Sequence, residues 1–222
     1  MSKRTLGMRA TERATRRTMP ALTPQDPVEI ADRSMLRTSR LVLRPLREPD
    51  REAFIAMVRR SREELERWMP LHEEGEDDDA LFDRQLTLTN EGEATGRALR
   101  RVGVLDSGEL VGAFNLVHIV RGLTLEADAN WWVDAAHAGR GLATEGVQAL
   151  VDFALADLPH GLGLTTVVAG IVPDNLPSQR VAARVGFERQ PGITSYLRSG
   201  GRWHRHEIWT ANASSEVRSI SA

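Results

Sequence analysis

Ala138-Gly139-Arg140-Gly141-Leu142-Ala143-Thr144 joins a stretch of strand character, residues 123–133, to a strongly amphipathic helical run. In that run Val147, Leu150, Val151, Ala154, Leu155 and Leu158 recur at helical spacing, and Pro159 and Gly161 end it. Glycines let a ligand approach the backbone closely. The first turn of a helix presents unpaired N–H groups at the positive end of its dipole, and together these bind anions. Arg140 adds a permanently charged planar fork suited to phosphate. The loop therefore reads as a pyrophosphate cradle or as a tight turn packing strand on helix. Thr144-Glu145 does not supply the Lys-Ser/Thr pair of a P-loop. A dinucleotide fingerprint would follow the first strand of a βαβ unit, whereas this loop follows an antiparallel meander.

Outward from the loop, residues 98–105 and 109–119 flank Asp106-Ser107-Gly108, a hairpin turn. Upstream, residues 41–46 form a short strand around Arg44-Pro45, and Pro49-Asp50 opens a helix with Phe54, Met57 and Val58 on its apolar face. The helix runs on to Trp68 and stops at Pro70; the acidic loop 72–79 and a helix carrying Leu81, Phe82, Gln85, Leu86 and Leu88 follow. Downstream, residues 165–172 are rich in β-branched side chains and read as a buried strand. Residues 176–185 form a short helix closed by Gly186, and two strands around 195–198 and 204–210 finish the sheet. This order predicts an α+β (mixed α/β) fold rather than a regular doubly wound one.

A length of 222 residues suits one generous domain. The expected divisions are an Arg-rich flexible extension over 1–34, a folded domain over 35–211 and a polar tail over 212–222. A net charge of -2 argues against a general nucleic-acid binder. The absence of cysteine excludes disulfides, thiolate metal sites and an acyl-cysteine intermediate. No apolar run reaches the roughly 20 residues that span a bilayer, so neither nucleic acid nor membrane is expected as a partner. A cytoplasmic enzyme fits all of this.

The loop and its surroundings resemble the GNAT superfamily of N-acetyltransferases. The family's acetyl-CoA signature, Gln/Arg-x-x-Gly-x-Gly/Ala, falls on Ala138 to Ala143, with Ala138 departing at its first position. Ala129-Asn130-Trp131-Trp132-Val133-Asp134 is similar to the segment before the loop in the Rim-type branch, which includes N-acetyltransferases of ribosomal proteins. Asn175-Leu176-Pro177-Ser178 with Gly186-Phe187, and Ser39 to Leu46, match two further blocks of that branch. The resemblance spans roughly residues 37–210 and implies a mostly antiparallel sheet of about seven strands flanked by helices.

It further implies acetyl-CoA as co-substrate and no metal. Trp132 and Val133 would pair with the pantetheine arm as an added strand, and a backbone N–H there would stabilise an oxyanion. Ala138, Gly139, Arg140, Gly141, Leu142, Ala143 and Thr144 would hold the pyrophosphate. Asn175 binds cofactor or turns the chain, and Arg180 reaches a CoA phosphate or lies on a solvated face. Many members carry a tyrosine proton donor where this chain has Ala182. Ser178 is the candidate donor in its place, or else a helix-capping hydroxyl. Glu126 and Asp128 share a strand face and are the candidate bases, or else solvent-facing acids. His204 and His206 share a face without a third metal ligand in evidence. Trp131, Trp132, Trp203 and Trp209 read as core or interface, and the acidic loop as a solvated loop or an attractant for cationic amines.

The function implied is acetylation of a primary amine, led by a protein N-terminal α-amine. The amine acceptor is alternatively a small molecule such as an amino acid, polyamine or aminoglycoside. A non-catalytic acyl-CoA-binding sensor and a nucleotide-binding protein are the competing classes. Many relatives pair as homodimers.

Overall fold

The computed structural model describes residues 35–199 and 202–213. The extension expected over 1–34 and the tail from residue 214 onward lie outside the described residues. The chain begins with β1 (Leu36–Arg37) and β2 (Leu41–Arg44), then α1 (Arg51–Arg60), α2 (Arg62–Trp68) and α3 (Asp78–Thr95). A meander follows: β3 (Leu99–Leu105), β4 (Leu110–Arg121) and β5 (Leu125–Val133). Then come α4 (Leu142–Leu155), β6 (Thr166–Ile171), α5 (Leu176–Val185), β7 (Glu188–Ser199) and β8 (Arg202–Asn212).

All eight strands form one sheet in the order β1-β2-β3-β4-β5-β6-β8-β7. Every pairing is antiparallel except β5 with β6. The mixed, mostly antiparallel sheet is as expected; the eighth strand is the two-residue β1, too short to leave a periodic signal. Helices cover the sheet on two sides. On one, Val147, Leu150 and Ala154 of α4 pack with Phe114, Leu116, Val167 and Ala169. On the other, Phe54, Met57, Leu65 and Phe82 from α1–α3 pack with Val102, Val104 and Leu110. At Gly146 a Cβ would stand 2.4 Å from the Phe114 ring, so α4 can lie this close to β4 only with glycine there.

One expectation is corrected. Leu158 does not continue the apolar face of α4: the helix ends at Leu155, Ala156 is extended, and Leu158 is 59% exposed. Pro159 disfavours helical backbone just before it. The chain turns back, with the Leu162 and Leu164 N–H groups donating to the Phe153 and Ala154 carbonyls, and these two leucines fill the core instead. Trp203, expected in the core or at an interface, is 68% exposed on β8. Trp209 is buried, as expected.

The feature that positions the site is the short parallel seam. β5 and β6 pair only through Glu126↔Thr166, Ala127↔Val167 and Asp128↔Val168. β5 continues to Val133 with β4 as partner, and β6 continues to Ile171 with β8 as partner. Beyond Asp128 and Val168 the two strands have no register with each other, so the sheet opens.

Candidate active site

The opening lies within a cavity of about 710 Å³ that reaches both helical layers. On the α4/α5 side it is lined by Ala138, Gly139, Gly141, Leu142, Ala143 and Thr144. Asn175, Ser178 and Arg180 complete that side. Trp132 and Val133 line it from β5, along the strand edge that has lost its partner.

Gly139 and Gly141 sit at φ of 75° and 79°, the left-handed region that glycine adopts without strain. Nothing lies within 4 Å of the place a Gly139 Cβ would take. Gly141 is the N-cap of α4 and offers no side-chain hydrogen bond to the first turn. The amides that begin the helix are therefore left for a ligand, and the cradle fits a pyrophosphate. Arg140 stands apart from this lining; its side chain is exposed, and its carbonyl accepts a 3.0 Å bond from Arg40 Nη1.

That bond belongs to a clamp the sequence did not announce. Glu145, in the first turn of α4, accepts from Thr38 Oγ1 at 2.6 Å, from the Arg40 N–H at 2.8 Å and from Arg40 Nε at 2.7 Å. Ser39 Oγ donates to the same carboxylate at 3.0 Å. Burial alone would raise the Glu145 carboxyl, but the bonds from Thr38, Arg40 and Ser39 outweigh it and hold the pKa at about 2. A depressed carboxylate contributes stability above its unfolded value of 4.5 and loses it as pH falls toward about 2. Because Arg40 is half exposed, Glu145→Gln is expected to cost only ~1–2 kcal/mol. Thermal unfolding compared across pH checks this: the wild-type advantage is present at pH 7 and shrinks below about 4.5.

A second tether holds the loop from the other layer. Asp134 is fully buried and accepts from Arg60 Nη2 at 2.6 Å and Ser61 Oγ at 3.0 Å. Ser61 Oγ in turn accepts from the Ala135 N–H at 3.1 Å. The break between α1 and α2 is thus fastened to the turn that leads into the glycine loop.

On the α1–α3 side the cavity is lined by Glu64, Arg100 and Asn115, which sequence reading did not single out, by Asn130, and, from β8, by His206, read from sequence only as one of two histidines on a strand face. His206 is 8% exposed, and its Nδ1 lies 2.9 Å from the His204 carbonyl. That contact makes Nδ1 the protonated donor of a neutral ring and leaves Nε2 with a free lone pair. Burial pushes the His206 pKa below its ordinary value; the His204 carbonyl opposes this and the His204 ring adds to it. Of the candidate bases, neither Asp128 nor Glu126 lines the cavity. Asp128 pairs with His118 Nδ1 at 2.8 Å on an exposed bulge, and Glu126 accepts from Thr124 Oγ1 at 3.3 Å. Ser178 does line the cavity, and the capping of α5 falls to Asn175, whose Oδ1 accepts from the Ser178 N–H at 3.1 Å. Tyr196 is 61% exposed and does not line the cavity, and Ala182 is buried in the core.

The acidic loop is largely neutralised. Asp78 meets Arg59, Arg62 and His72 at 2.6–2.8 Å, Glu76 meets Arg84 at 2.6 Å, and Asp77 caps α3. Among the described residues no group of three or more His, Cys, Asp or Glu is placed to hold a metal ion.

A family model described as an acetyltransferase (GNAT) domain matches residues 40–188. The "Probable N-acetyltransferase YjcK" of Bacillus subtilis is 34% identical over 99 residues, a match covering 45% of this chain and only 52% of that protein. The [Ribosomal protein uS5]-alanine N-acetyltransferase of Escherichia coli is 25% identical over 175 residues, covering 78% of this chain and 88% of that one. Among solved structures, Mycobacterium smegmatis RimJ in complex with CoA-disulfide is similar at a TM-score of 0.71 and 26% identity, covering 83% of this chain and 88% of that one.

Proposed function

We propose that this chain, which belongs to the GNAT acetyltransferase family, moves an acetyl group from acetyl-CoA to a primary amine, with a protein N-terminal α-amine as the leading acceptor. The observation that carries the reading is the single cavity through the opened sheet: an anion cradle lines one side, and a polar chamber with a neutral histidine lines the other. Two substrates entering from opposite layers would be brought together there, and such proximity supplies much of a transfer enzyme's rate.

Acetyl-CoA would supply an acetyl group already activated as a thioester. The chain's own part is to bind, orient and move protons. The Gly139–Thr144 backbone and Arg180 hold phosphate, and Asn175 fixes the start of α5. The unpartnered edge of β5 at Trp132 and Val133 offers backbone hydrogen bonds to an extended arm. His206 Nε2 takes the proton of the attacking amine. Ser178 Oγ returns a proton on the donor side. Asp128, held by His118, stays a candidate to relay a proton through water, and Glu126 lies further along the same face. An α-amine, with a pKa of about 7.7–8.0, asks less of a base than a lysine at about 10.4, which suits a histidine.

No helix among the described residues is long and apolar enough to cross a membrane. A cytoplasmic location is part of the proposal. The reading is tested by incubating the protein with acetyl-CoA and short peptides of differing N-terminal residue, and following thiol release together with peptide mass. Acetylation confined to the α-amine supports it. Thiol release with no acetylated amine, or none at all, overturns it.

A further inference from the structure

We propose that Arg100 makes the acceptor side of the cavity a carboxylate subsite, so that the preferred acceptor bears an acidic side chain close to its primary amine. The inference rests on the amine-acceptor reading above and narrows it.

Arg100, Asn115 and Asn130 stand opposite one another on β3, β4 and β5. Cross-strand partners present their side chains to the same face, so the three make a polar row. All three line the cavity. Asn115 Nδ2 donates to Asn130 Oδ1 at 2.9 Å, and Asn115 Oδ1 accepts from the Arg101 N–H at 3.3 Å. With those acceptors engaged, the row offers donors: the Asn130 amide NH2 and the Arg100 guanidinium.

Arg100 differs from its neighbours in having no counter-ion. Arg101 meets Glu93 at 2.5 Å, and Arg84 meets Glu76 at 2.6 Å. No carboxylate among the described residues pairs with Arg100, and its buried Nε has no hydrogen-bond partner. Burial, with Arg84 nearby, lowers its pKa. A cation partly withdrawn from water without a counter-ion is destabilised, and a planar guanidinium is best compensated by a carboxylate.

The cavity has little else for an anion to avoid. Glu64 is the only carboxylate among the described residues that line it, and it is exposed. A polyamine would be repelled here, and the acidic loop that would attract one is already paired with arginines. A peptide with Glu or Asp just after its N-terminal residue carries both groups the cavity asks for. One is an amine for His206; the other is an anion for Arg100 and Asn130.

The test uses three peptides that differ only at their second residue, Glu, Gln or Lys, together with free glutamate. Binding to the CoA-loaded protein is measured by calorimetry, and acetylation is followed in parallel. The Glu peptide is expected to bind about tenfold tighter than the Gln peptide, with Lys weakest. In Arg100→Gln that preference should vanish while acetyl-CoA binding is unchanged; Arg100→Lys should keep part of it. A matching gain for free glutamate would place the recognised carboxylate on a small molecule instead of a peptide. Equal binding of the Glu and Gln peptides, or a preference that survives in Arg100→Gln, overturns the inference even if all are acetylated. A preference for Glu without acetylation of any peptide would uphold the subsite and overturn the transfer reading.

Discussion

His206→Gln is expected to lower kcat about a hundredfold while leaving the KM for acetyl-CoA unchanged. A positioned base contributes about 10²–10⁴ in rate, and an α-amine that is partly neutral at pH 8 calls for the low end of that range. The side chain is buried against the cavity on β8, with Nδ1 committed to the His204 carbonyl. Its pKa lies below 6.5, chiefly through burial, so the ring is neutral at pH 7 and the lone pair on Nε2 is available. The acidic limb of the wild-type profile should fall below the ordinary histidine value and disappear in the variant. The same shift makes a stability statement. The unfolded ring binds a proton near pH 6.5 and the folded ring does not, so stability is fully present above that pH and declines below it. An unchanged kcat with an unchanged profile would move the base role to the Asp128–His118 pair.

Asp134→Ala is expected to cost ~3 kcal/mol, the scale of breaking a buried ion pair from one side. Asp134 is 0% exposed and takes bonds from Arg60, Ser61 and the Ala136 N–H. Burial by itself raises its pKa, but those three bonds prevail and hold it below the usual carboxylate range. Its contribution is therefore present above its unfolded value of 3.8 and lost as pH falls below it. Arg60 is half exposed and can turn to solvent in the variant, whereas Ser61 stays buried without its acceptor. Thermal unfolding should show a Tm lower by roughly 6–12 °C. Asp134→Asn keeps an acceptor for Ser61 and should lose less. Because the tether leads into the glycine loop, acetyl-CoA affinity should fall together with stability. A Tm within a degree of wild type would show that the network adds little to the fold.

What the sequence made legible was local. The helix over Leu176–Val185 could be read to the residue, because Pro177 enters its first turn and Gly186 leaves it at φ 94°. The glycine loop was legible for the same reason: positive φ and an uncapped helix start leave a mark in residue type. The opening of the sheet left none. Thr166–Ile171 looks the same as a sequence whether it pairs with three residues of β5 or with nine. His206 was visible only as one of two histidines on a strand face; its burial depends on how β8 sits against β6. Arg100 would pass for solvent-facing charge, and only the strand register that sets it beside Asn115 and Asn130 places it in the cavity. Leu158 misled because helical spacing carries on past the point where Pro159 ends the helix.

The central claim is that the loop over Ala138–Thr144 is the acyl-donor cradle of a transferase. It is tested most directly by calorimetric titration of wild type and Gly141→Trp with acetyl-CoA and, separately, with ATP. An indole at the N-cap of α4 would fill the cradle and force a residue with a Cβ to φ near 79°. The account predicts acetyl-CoA binding to wild type, a loss of about a hundredfold or more in the variant, and no comparable binding of ATP. Absence of acetyl-CoA binding to wild type, or binding that Gly141→Trp leaves intact, would contradict it.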